Sequence, residues 1–315
     1  MKHFTKDENS NQISKSISRR RFLKFAGGAA GAVVIAGGGL YELVNNGDLP
    51  GKSALEQLTG ACNVSYPPLK FSGVGSTIKG SFNSKFRNKT VGYTIGLPHG
   101  YVQNQKLPLI VMLHGYGGNN ENALVGMTPA QAASLIVDNE KLPDFAIVTV
   151  DGGNDYWNPH PHDNPMAMVV DELIPMCQAL GLGAAPSKIG LMGISMGGFG
   201  DFLIAERYPK LISAVAAISP AIWLSYDQAR AANFNAFASQ NDFNQDNVLT
   251  HATFLKSIPV RVASGYDDPF YPDVMTFVKS LPQSSQIYFG GGCHTDEFFI
   301  SQEPPSLKFL ANNLS

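Results

Sequence analysis

Short, almost wholly apolar runs recur along the chain: LPLIVMLH at 107–114, FAIVTV at 145–150 and IGLMG at 189–193. None alternates with polar residues, so each reads as a strand buried on both faces. Helical spacing fills the gaps at 128–140, at 166–180 just after Pro165, and at 199–208 before Pro209. Strand and helix in turn require crossover connections, and these build a mostly parallel central sheet with helices on both faces, an α/β architecture. Two extended segments are expected within 77–97. Further strands are expected at 212–218, 258–264 and 286–289, with a closing helix at 306–314. Residues 224–256, rich in Asn, Gln, Asp and Phe, break the rhythm and read as an insertion over one end of the sheet.

Composition narrows the class. With 44% hydrophobic and 15% charged residues in 315, the chain has too much apolar content for disorder and enough length for one large domain. The 32 glycines show no G-X-Y period, which excludes collagen, and no repeat of 20–50 residues suggests a solenoid. Three cysteines are too few for a disulfide scaffold and leave at least one thiol unpaired.

Charge is divided unevenly. Residues 1–24 hold seven Lys/Arg and two Asp/Glu; the rest hold 16 and 23, a net of −7. No basic stripe marks the main body as a nucleic-acid binder. The basic segment ends in Ser18-Arg19-Arg20-Arg21-Phe22-Leu23-Lys24 and leads into an uncharged Gly/Ala-rich run at 25–41. A basic stretch before a short apolar one is the pattern of an export peptide, and this one resembles the bacterial twin-arginine (Tat) signal. The resemblance implies the Tat translocase as a partner during export and a place in the periplasm, at the cell surface or outside the cell. The reading divides the chain into a signal or membrane tether at 1–44, a linker at 45–74 and a catalytic domain at 75–315. Thr59-Gly60-Ala61 is a distant cleavage point, so an uncleaved tether stays open.

Gly193-Ile194-Ser195-Met196-Gly197 carries the chemistry. A G-x-S-x-G pattern is weak alone, but here it follows a buried strand and opens a helix, the setting of a nucleophile elbow. The tight turn leaves no room for side chains beside the serine and exposes Ser195 Oγ at the strand end. Such a serine needs a base and an orienting acid, in the chain order Ser, acid, His. Of the two downstream histidines, His251 lies in the insertion, whereas His294 follows the last strand in GGCHTD. The loop after the preceding strand, SGYDDPF, offers two adjacent acids, Asp267 and Asp268.

The set LHGYGG, GISMGGFG, SGYDDPF and GCHTDEFF resembles the esterase branch of the α/β-hydrolases over residues 75–315. That branch includes esterase D (S-formylglutathione hydrolase), feruloyl and acetyl-xylan esterases, and the mycobacterial mycolyltransferases. The resemblance implies the α/β-hydrolase fold and an exported serine carboxylic-ester hydrolase without a cofactor. It favours Asp268 as the acid and makes the amides of Tyr116 and Met196 the oxyanion donors. It also places Trp157, in DGGNDYW, beside the pocket as a wall for the acyl or sugar group.

Other clusters carry less. His160-Pro161-His162-Asp163 has donor atoms for a metal but stands in a proline-stiffened loop with no further ligand pair, so no metal is expected. His114 is expected to be structural. Cys293 has Cys62 and Cys177 as partners to choose from, and Met166, Met168, Met176 and Met192 read as core. Aromatics among amides in and beside the insertion (Trp223, Phe234, Phe237, Phe243) suit a carbohydrate or phenolic ester, and equally suit anchoring of the insertion. Acyl transfer to a sugar hydroxyl, an S-formylglutathione hydrolase-like thioesterase and an inactive envelope-binding module remain as alternatives.

Overall fold

The computed structural model describes residues 62–186 and 188–314. The signal-like segment, its tether alternative and the cleavage point near 59–61 lie outside the described residues. Strand β1 (Lys70–Phe71) comes first, then β2 (Ser76–Ser84) and β3 (Lys89–Leu97), which form a hairpin whose turn ends on Asn88 at φ 51°. The apolar runs become β4 (Leu109–Leu113), β7 (Ala146–Val150) and β8 (Ile189–Ile194), with β9 (Ala214–Ile218) and β10 (Val260–Gly265) beside them. Every residue of these five strands is buried. With β11 (Gln286–Gly290) they complete an eight-stranded sheet of order β11-β10-β9-β8-β4-β7-β3-β2. Pairing is parallel from β11 to β7 and antiparallel at β7–β3–β2.

Alternate residues of each strand feed opposite faces. Val111, Leu113 and Leu191 meet Phe199 and Phe202 of one helical layer. Ile110, Met112 and Met192 meet Phe298 and Leu310 of the other. Helices therefore cover both faces, as the unalternating strands require.

Three expectations are corrected. Residues 128–140 are not one helix. Thr128 caps a single turn, α1 (Pro129–Ala132), after which β5 (Leu135–Val137) and β6 (Glu140–Lys141) form a hairpin on β1. Asp138 and Asn139 make its two-residue turn with φ of 55° and 64°. Asp and Asn tolerate that left-handed region, so the turn overrides the helical spacing around it.

The closing helix starts ten residues early. Among the helices between, α2 (Pro165–Met168) and α3 (Ile174–Ala179) flank a π-helical turn at Val169–Leu173, just before Pro175, which has no N–H to donate. Helix α4 (Met196–Arg207) follows β8. The insertion holds α5 (Tyr226–Ala232), α6 (Gln240–Asp246) and α7 (Val248–His251), and α8 (Tyr271–Val278) precedes β11. The last helix, α9 (Asp296–Leu314), runs straight through Pro304 and Pro305. Each interior proline costs about 3 kcal/mol or more. Burial of Phe298, Leu307, Leu310 and Leu314, at ~1.5–3 kcal/mol each, outweighs that cost.

Residues 62–74 are not a free linker. Lys70 and Phe71 pair with Ile136 and Leu135, and Cys62 is disulfide-bonded to Cys293.

Candidate active site

Strand β8 delivers Ser195 into a sharp turn at φ 56°, ψ −117°, a positive-φ conformation that a β-carbon resists. The flanking glycines make it feasible. A β-carbon at Gly193 would lie 2.3 Å from Gly197 C, and one at Gly197 only 2.0 Å from Leu113 O. The turn is held by Ser195 N–H donating to Ile218 O (2.9 Å) and by Ala221 N–H donating to Ser195 O (3.0 Å). The serine thus sits at the N-terminus of α4, where the helix dipole favours negative charge.

Two neighbouring loops bring Asp268 and His294 to the serine. The loop after β10 and the loop after β11 are zipped by Tyr266 N–H to Gly290 O (2.8 Å) and Asp267 N–H to Gly292 O (3.1 Å). Of the adjacent acids, Asp268 turns inward and its side chain is fully buried. Its Oδ1 accepts from Phe270 N–H at 2.8 Å, and its Oδ2 lies 2.9 Å from His294 Nδ1. On the other side of the ring, His294 Nε2 lies 2.8 Å from Ser195 Oγ. Nδ1–H donates to the carboxylate, which leaves Nε2 to accept from the serine hydroxyl. Asp267 stays half-buried and takes no part in this row.

Sequence reasoning missed two aromatic side chains that hold the imidazole in place. Phe270 and Phe299 present rings with centroids 5.2 and 5.0 Å from that of His294. Both follow their functional neighbour by two and five residues, in SGYDDPF and GCHTDEFF, so the signal was within the motifs already singled out.

The loop after β4 faces the serine from the other side. His114 is fully buried, accepting from Gly152 N–H at Nε2 (2.9 Å) and donating from Nδ1 to Gly115 O (2.7 Å). Burial lowers its pKa, consistent with a neutral ring spliced into the backbone, a structural histidine. Asn154 Oδ1 accepts from Gly117 N–H at 2.7 Å, and Asp151 accepts from the Asn120 and Gly92 amides. Asn154 was a second omission; it lies in the same DGGNDYW stretch as Trp157. Among the described residues, no acceptor claims the N–H of Tyr116 or of Met196.

Trp157 is a correction. It is 0% exposed and packs against Gly152 and Gly200, with Nε1–H directed at His114 O (3.4 Å). It supports the loop from behind and has no face left for an acyl or sugar group. Phe237 and Phe243 are buried too, edge-to-face with each other, and anchor the insertion. Trp223 stacks edge-to-face on Phe270 at 4.8 Å, while Phe234 stays 64% exposed under Arg230. Asp163 is taken up by Arg87 (2.7 and 3.0 Å) and Lys89 (2.6 Å), clasping the β2–β3 hairpin to its loop, and no metal-ligand cluster forms among the described residues. Cys177 is a buried free thiol, pushed up to about 12 by burial.

Comparison with known proteins agrees with this architecture. A ferulic acid esterase superposes with a TM-score of 0.62 at 18% identity, covering 78% of this chain and all of its own. The S-formylglutathione hydrolase from Agrobacterium tumefaciens gives 0.60 at 15% identity, covering 80% of this chain and all of its own. Mycobacterium tuberculosis MPT51 (FbpC1) gives 0.59 at 13%, covering 79% and 100%. No curated protein sequence matches the chain. The family described as Putative esterase matches residues 84–288, well over half of the chain. The chain belongs to this esterase family, the carboxylic ester hydrolases of the α/β-hydrolase fold.

Proposed function

We propose that the chain is an exported serine esterase in which Ser195 is the nucleophile, His294 the base and Asp268 the orienting acid. The observation that carries this reading is the unbroken row from Asp268 Oδ2 through His294 to Ser195 Oγ, with bonds of 2.9 and 2.8 Å. Ser195 Oγ attacks the ester carbonyl as its proton passes to His294 Nε2. The carbonyl oxygen, now negative, is met by the Tyr116 and Met196 amides and by the α4 N-terminus; losing one such donor costs ~100–1000-fold. His294 then protonates the leaving alcohol. Water, deprotonated by the same nitrogen, releases the acid from Ser195.

The substrate class is an acyl ester of a carbohydrate or a similar extracellular ester. Tyr116 is 63% exposed and the His294 side chain 24%, so the row opens towards solvent, as an ester displayed on a polymer needs. Half-buried Trp223 and Phe270 offer aromatic edges next to it. Similarity to a ferulic acid esterase points the same way. Export through the twin-arginine route rests on the Ser18–Lys24 pattern.

The test is hydrolysis of nitrophenyl esters from acetyl to palmitoyl, alongside acetylated and feruloylated oligosaccharides. Ser195→Ala should lower kcat by about 10⁴–10⁶; equal rates would overturn the assignment. A long-chain optimum without sugar-ester activity would move the substrate to lipid esters. Replacing Arg19 and Arg20 together by Lys should leave the protein in the cytoplasm; unchanged export would exclude the route.

A further inference from the structure

We propose that a cavity at the opposite end of β10 from Asp268 is a binding site for a small organic carboxylate with a planar apolar body. The cavity has a volume of about 650 Å³ and lies between β11, α9 and the segment at 66–69. That size is within the range of small-molecule sites, ~300–1,000 Å³. No residue of the Ser195 row lines it, so the proposal stands independently of the catalytic reading.

Arg261, at the start of β10, carries the argument. The residue is 5% exposed and lines the cavity. Its guanidinium donates to Ser306 Oγ (3.1 Å) and Gln302 Oε1 (2.9 Å), both neutral. No carboxylate pairs with it among the described residues. Buried cations are ordinarily paired, because their desolvation is otherwise uncompensated. Burial accordingly lowers the Arg261 pKa to about 10. Two other described arginines do pair with a carboxylate, Arg87 with Asp163 and Arg207 with Asp246. Arg261 is the buried guanidinium that stands beside open space instead.

The walls define what the anion brings with it. Tyr66, Pro68, Tyr288 and Pro304 give flat, rigid apolar surfaces. Lys308 adds a second cation at the rim, bonded to Asp138 at 2.6 Å, so the lining carries a net charge of +1 from Arg261, Lys308 and Asp138. A guanidinium fork matches a carboxylate with two parallel bonds, and flat walls match an aromatic ring. An inorganic anion would leave the apolar walls without contact.

Benzoate is the probe, benzamide its neutral isostere, and thermal unfolding the readout. At roughly five times its Kd, benzoate should raise the midpoint by about 2–4 °C, and benzamide should not. The rise should disappear in Arg261→Gln and in Ser301→Trp, which fills the cavity from α9, and persist in His294→Ala. Ser301→Trp keeps the test decisive where Arg261→Gln fails to fold. An equal response to benzamide, a response that survives both cavity variants, or one lost in His294→Ala would overturn the site.

Discussion

Two adjacent aspartates separate a chemical role from a sequence pattern. Asp268 is buried with both oxygens engaged, whereas Asp267 contributes only its backbone N–H to the neighbouring loop. Asp268→Asn should lower kcat by about 10⁴, because the amide turns the wrong group to His294 Nδ1. Asp267→Asn should stay within a few-fold of wild type, measured on the same nitrophenyl ester. The residues alone left this choice open, since both acids occupy one loop, and only family resemblance favoured the second. Trp157 shows the opposite failure. Its motif places it near the serine, yet which side of a loop a ring packs on depends on Gly152 and Gly200, far apart in sequence and close in space.

At the scale of elements, the apolar runs and the elbow were legible because their local pattern has one stable solution. Strands buried on both faces read as near-continuous apolar runs, and the turn at Ser195 needs glycine two residues to either side, at 193 and 197. The β5–β6 hairpin and the start of α9 were not, since a two-residue turn and a pair of prolines each speak against the element around them. The elbow yields a direct expectation. Gly197→Ala should destabilise by ~1–3 kcal/mol or more in urea unfolding, as its methyl meets the Leu113 carbonyl that β4 cannot withdraw. The disulfide yields another. Cys293 precedes His294, so Cys62→Ser should loosen the base's loop and lower kcat by about 10- to 100-fold, with KM little changed. Equal kcat for the variant and wild type would make the bond a matter of stability alone.

Across the whole molecule, one buried carboxyl ties the layers together. Glu303 of α9 accepts from the Val125 and Gly126 amides at 2.6 and 3.0 Å. Burial raises its pKa from 4.5 to about 7. The folded state therefore binds a proton that the unfolded state has released between those values. Its contribution is complete below about pH 4.5 and fades as pH climbs to 7, a change of about 3 kcal/mol. Glu303→Gln should flatten that part of the stability profile in urea titrations from pH 5 to 8; an unchanged slope would place the proton elsewhere. Such a group is invisible in sequence, where Glu303 falls before the closing helix expected at 306–314 and stands next to two prolines. The Cys62–Cys293 bond has a topological consequence as well. Among the described residues it closes a ring that contains all eleven strands and leaves 294–314 as a tail. A protease cut at the exposed Phe234, inside that ring, would open the chain into a permuted form with new ends, its pieces inseparable on a gel until a thiol is added.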